Sequence, residues 1–235
     1  DTSRGVGNDY SAFVVLDVTQ VPYKIVATFR NNTIAPMLYP KFVVSAAKMY
    51  NEAQLLIEIN DIGAQVADII HNEYEYEGLI KAQWKGRAGQ IVGGGFGGGD
   101  TQLGVRTTSS LKRIGCSNLK TIVENDRLYI SDFDVLSELT TFVANKRGTT
   151  YEAEDGMTDD LAMCLVLFAW LTSQDYFKQL TDIDIRKNLY AQNEQAIEDE
   201  LLPFGFIEDG AGNNLSTDND EFKGGEMISW DALDY

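Results

Sequence analysis

The chain alternates short β-branched runs with longer stretches of helical spacing. Tyr10 to Val18 (YSAFVVLDV) is nearly continuous in apolar residues and predicts a strand, and Val21 to Arg30 predicts a second, together a hairpin or meander. Asp1 to Asp9 (DTSRGVGND), ahead of them, is turn chemistry with Gly5 and Gly7. From Pro36 to Asn51 the apolar positions recur at helical spacing. Phe42, Val43, Ala46, Ala47 and Tyr50 share one side, and Pro36 and Pro40 suit the early turns. Gln54 to Ile59 (QLLIEI) is a short apolar run holding one acid, Glu58. A helix is predicted next, to about Asn72, with Asn60 or Asp61 as its N-cap. Gly78 to Ala82 predicts a further short strand.

The pattern breaks between Gly86 and Gly99, where GGGFGGG surrounds Phe96. So many glycines hold neither helix nor regular strand unaided, so 86–105 reads as a loop or the tip of an inserted hairpin. It lacks the GKS or GKT ending of a phosphate-binding loop, which excludes an ATPase of that kind. Beyond it, Ser109 to Glu124 predicts a helix, Arg127 to Ser131 a strand and Asp134 to Asn145 an amphipathic helix. Gly148 to Gly156 is polar and extended. Thr158 is a suitable N-cap for a strongly apolar helix over Leu161 to Thr172, with acids in its first turn. A buried strand followed by a helix is an α/β signature. After about Gln179 acids, Asn and Gly dominate. Residues 1–180 therefore read as the folded domain and 181–235 as an acidic tail, partly helical or loosely ordered.

Composition narrows the chemistry. Apolar residues make up 44% of the 235 and charged residues 23%, ordinary for a globular chain. The longest apolar helix candidate, Leu161 to Leu171, spans about three turns, too short for a bilayer, so no membrane partner is expected. No secretory leader is expected at the start. Cys116 and Cys164 are far apart and read as reduced thiols. His71, the single histidine, leaves a histidine-built zinc site or catalytic triad without support.

The net charge of −17 argues at first against a nucleic-acid partner. Its distribution changes that. Residues 181–235 hold 14 acids and 3 bases, or −11, leaving −6 for residues 1–180. Between Gly78 and Val123, Lys81, Lys85, Arg87, Arg106, Lys112, Arg113 and Lys120 face only Asp100. A phosphate backbone responds to that local field, not to the global charge.

Acids at three places stand where a folded chain does not casually leave a charge. Glu58 lies within an apolar run, Asp159 and Asp160 crowd the mouth of an apolar helix, and Asp1 precedes a glycine turn. A buried carboxylate needs a cation or a proton. A divalent metal serves all three, because Mg²⁺ takes hard oxygen ligands. Two such ions about 4 Å apart can activate a water and stabilise the leaving oxygen in phosphodiester cleavage. Each acid alone also has an ordinary explanation as a turn, strand-end or helix N-terminal residue.

Four stretches carry a family resemblance: DTSRGVGNDYSAFVVLDVT at 1–19, LLIEINDIGAQVA at 55–67, GCSNLKTIVENDRLYI at 115–130 and EAEDGMTDDLAMCLVLFAWLTSQ at 152–174. In this order they resemble the C-terminal nuclease domain of tailed-phage terminase large subunits, most similar to the T-even type. The resemblance implies an RNase H-like (integrase/resolvase-like) α/β fold, a mixed central sheet flanked by helices. It implies an endonuclease that cuts concatemeric viral double-stranded DNA during packaging, with little sequence specificity. Carried over by motif, Asp1, Glu58 and Asp160 bind one or two Mg²⁺ or Mn²⁺ ions, Asp159 is an additional ligand or orienting acid, and Asp9 lies near the same edge. Lys81, Lys85, Arg87, Arg106, Lys112 and Arg113 are expected to hold the duplex. The implied partners are double-stranded DNA, the ATPase half of the same subunit, which this sequence lacks, the portal protein and the small terminase subunit. The implied place is the host cytoplasm, at the prohead. The family pattern also expects a strand ahead of Asp1 and a shorter, less glycine-rich segment than 86–105. Rival readings are a Holliday-junction resolvase or transposase-like nuclease of the same fold, and a non-catalytic acidic docking module for a portal.

Overall fold

The computed structural model describes residues 1–5, 7, 9–84, 89–92, 101–145 and 151–181. Lys85, Arg87, most of the glycine run and the acidic tail lie outside the described residues.

The first two predicted strands are present. β1 (Ser11–Asp17) and β2 (Tyr23–Asn31) pair antiparallel, with a register shift between Val15 and Leu16. β2 then pairs parallel with β6 (Leu128–Tyr129), which makes this sheet mixed. On the opposite edge of β1, Asp1 and Ala12 exchange main-chain hydrogen bonds, Asp1 N to Ala12 O at 2.9 Å and Ala12 N to Asp1 O at 3.2 Å. That reciprocal pair is one rung of an antiparallel ladder and sets Asp1 beside β1. A second sheet has β3 (Lys81–Trp84) between β4 (Gln90–Val92) and β5 (Thr101–Leu103), both antiparallel to it.

The segment around Glu58 is extended but not a regular strand. Leu55 bridges Leu79, and Glu58 bridges Val105, so one short run is shared between two partners. Two glycines allow this. A Cβ on Gly63 would strike the Glu58 carbonyl, and one on Gly104, whose φ is +89°, would strike that of Ile57.

Helices cover the sheets. α5 (Asp160–Leu171) is apolar on every side, and every residue but Cys164 is buried, as expected of a helix with no polar face. It packs on α3 (Ser109–Glu124) and β1, joining Leu161, Leu165, Val166 and Ala169 to Ala12, Cys116, Leu119 and Val135 in one core. A second core gathers Val66, Ala67 and Ile70 of α2 (Gly63–Asn72) with Val43, Val44 and Ala47 of α1 (Tyr39–Met49). No described helix is long and apolar enough to cross a membrane.

Several local expectations need correction. The buried face of α1 is Tyr39, Pro40, Val43, Val44 and Ala47, so Phe42 turns outward and stacks on Phe29. Neither Asn60 nor Asp61 caps α2. Ile62 holds that position, Asp61 pairs with Arg4, and the Asn60 amide donates to Thr107 O. The helix expected over 134–145 ends early: α4 is Phe133–Thr141, and Phe142–Ala144 forms β7 against β8 (Tyr151–Ala153). Thr158 does not cap α5 either, because Asp159 is the capping residue and the Thr158 hydroxyl donates to Glu138.

Candidate active site

The three carried-over acids stand on three separate elements, and the Cys164 thiol touches the main chain of one of them, Asp1. Cys164 lies one turn after Asp160 on α5. Its Sγ is 3.8 Å from the Asp1 main-chain nitrogen and donates to Ala12 O at 3.6 Å. Burial raises the thiol pKa, and the carboxylates of Glu58 and Asp160 push it the same way. The Asp1 main chain thus touches this sulfur, while Glu58 from the bridged segment and Asp160 from the mouth of α5 act on it through their charge.

Each carboxylate is held differently. Asp1 Oδ1 accepts the Thr2 N–H at 2.6 Å. Glu58 is 9% exposed, buried between Ile57 and Ile59, and its chain is fixed by Ile59 N to Val105 O at 2.9 Å. Asp160 is 6% exposed, and its Oδ1 accepts the Tyr10 N–H at 3.4 Å. Burial pushes its carboxyl up to about 6, helped by the like charges of Glu138, Asp159 and Asp9 and opposed by the Tyr10 hydrogen bond. The pair 159–160 is therefore split. Asp160 faces inward, while the half-exposed Asp159 lies 3.5 Å from Lys112 Nζ.

The donor set suits a hard divalent ion. It offers carboxylate oxygens from separate elements, one of them held near neutrality by desolvation and crowding. Two buried oxygens, Asn60 Oδ1 and Thr107 Oγ1, also have no hydrogen-bond partner among the described residues, beside the Glu58–Val105 bridge. The side chains are not gathered around one point, however: among the described residues no three His, Cys, Asp or Glu groups could hold an ion as they stand.

The basic candidates divide as well. Arg106 follows Val105, the bridge partner of Glu58, and is exposed, while its main chain is held by Gln90, Arg106 N to Gln90 Oε1 at 2.7 Å. Lys81 on β3 and Arg113 on α3 are also exposed. Lys112 is only 20% exposed, paired with Asp159 and 5.4 Å from the centre of the Phe142 ring.

Glu138 was missed from the sequence. It is buried on α4, pairs with Arg30 at 2.7 Å, and accepts the Leu161 and Ala162 N–H groups at the mouth of α5. The available signal was an acid three residues after Val135, on the apolar side of an amphipathic helix.

A mixed sheet with helices packed on it is the architecture expected of an RNase H-like α/β domain. The chain belongs to the terminase RNaseH-like domain family, whose model matches residues 1–180. Membership places it among terminase nuclease domains and gives it a role in DNA packaging.

Proposed function

We propose that this domain is a Mg²⁺- or Mn²⁺-dependent endonuclease that cuts concatemeric viral double-stranded DNA with little sequence preference, in the host cytoplasm at the prohead. The supporting observation is the match of residues 1–180 to the terminase RNaseH-like family, with two carboxyls of the expected triad, Glu58 and Asp160, buried on separate elements. Those three carboxylates would hold one or two ions, with Asp159 as an added ligand or orienting acid. When bound, the ion supplies a Lewis acid for the scissile phosphate and for the attacking water. Below about pH 6, Asp160 would have to give up a proton to hold an ion. Asn60 and Thr107 offer buried oxygens beside the Glu58–Val105 bridge. Lys81, Arg106 and Arg113 attract the phosphate backbone without reading bases, and Lys112 offsets the charge of Asp159.

Asp160→Asn is expected to reduce Mg²⁺-dependent plasmid nicking to background while the circular-dichroism spectrum is unchanged. Full activity in that variant would sink the assignment. Preference for branched over linear duplex in the same assay would favour a resolvase.

A further inference from the structure

We infer that Glu138 is a positioning residue that caps α5 from outside, so that neither Asp159 nor Asp160 is drawn into capping it and both keep carboxylate oxygens for an ion. The inference rests on reading Asp160 as a metal ligand. Acids at a helix mouth ordinarily turn back and accept its free N–H groups. Here those groups are taken. Glu138 Oε2 accepts Leu161 N at 2.7 Å and Ala162 N at 3.0 Å, and Asp159 makes no side-chain capping bond. Glu138 Oε1 accepts Arg30 Nη1 at 2.7 Å and the Thr158 hydroxyl at 3.1 Å. A carboxylate offers about four lone-pair sites. Four donors fill them, so Glu138 has no oxygen direction left for a metal and acts through α5.

The support closes into a ring. Arg30 lies over the Tyr10 ring, 4.5 Å from its centre, and the Tyr10 N–H reaches Asp160 Oδ1. Arg30 thus ties both the cap and the loop that contacts Asp160 to β2. The four donors and the 4% exposure of Glu138 fit a support that holds one rotamer.

The test is Mn²⁺ binding to the full chain, read from the loss of the free-ion electron paramagnetic resonance signal. Glu138→Gln keeps the shape but cannot serve all four donors. It should weaken Mn²⁺ binding on the order of 10- to 100-fold, as loss of a ligand's supporting partner does. Leu139→Ala, on the same helix and against the same core, should lower the melting temperature and leave Mn²⁺ affinity unchanged. Affinity within twofold of the parent in Glu138→Gln overturns the proposal, as does an equal loss in Leu139→Ala. If Glu138→Gln does not fold, amide hydrogen exchange of the unaltered protein decides. Protection of Leu161 and Ala162 that persists with Mn²⁺ supports the cap, and protection lost on adding Mn²⁺ means that Glu138 leaves to ligate, which overturns it. Failure of the unaltered protein to bind Mn²⁺ rejects the metal reading itself, a result distinct from all of these.

Discussion

Asp160 is a carboxyl whose ordinary preference for charge is opposed by its surroundings. Burial raises its pKa to about 6 from an ordinary 3.8, so in the ion-free fold it retains a proton that the unfolded chain has lost. The neutral form contributes stability below about pH 4, and that contribution is lost as pH rises through about 6. Ion-free Asp160→Asn should therefore melt higher than the parent at pH 7, with the difference vanishing near pH 4. With saturating Mn²⁺ the order should reverse, because only the parent gains from binding. Mn²⁺ affinity of the parent should fall as pH drops below 6. Thermal melts at pH 4, 6 and 7, with and without Mn²⁺, check all three. Asp132 acts in the opposite sense: the Val135 N–H holds its carboxyl below the ordinary value, so its contribution is lost in acid.

At the scale of elements, apolar spacing was a good guide to which helices exist and a poor one to how they end. Ser109–Glu124 matches α3 at both ends, and its Thr108 cap accepts Leu111 N at 3.2 Å. Thr108→Ala should cost about 1 kcal/mol in a urea melt. Leu165 is wholly buried in α5, and Leu165→Ala should cost roughly 2–5 kcal/mol. The mouth of α5 was not readable in the same way. Thr158-Asp159-Asp160 has the composition of a self-capped helix start, yet the cap arrives from Glu138, 22 residues before Asp160. Local propensity sees only near neighbours, so a partner supplied by another helix is invisible to it. The 54–59 run was legible as buried and extended. That its hydrogen bonds are shared between 78–80 and 105 depends on pairings that no local pattern encodes.

Across the whole molecule, charge is sorted. The −17 net charge would repel DNA, yet Lys81, Arg106 and Arg113 are exposed in the described body and the described ion pairs do not include them. Replacing all three by Gln should weaken duplex binding and flatten its dependence on log salt by roughly 0.9 for each phosphate that is no longer neutralised. Fluorescence anisotropy between low and moderate salt measures that slope, and an unchanged slope would place the duplex on another face. Lys112→Gln should change the slope less, because its charge is already engaged by Asp159.

Hydrophobic spacing was enough to mark an α/β alternation, and four ordered motifs carried the resemblance to an RNase H-like terminase domain, the family whose model matches residues 1–180. Both signals are local chemistry and order along the chain. The tertiary structure decided what lies between distant residues. It set Asp1 on a rung beside β1 against Cys164, turned Asp159 toward Lys112, and gave Glu138 the capping of α5. The physical reason is separation: the desolvation of Asp160 and its crowding by Glu138 and Asp9 arise only once segments distant along the chain share one low-dielectric edge.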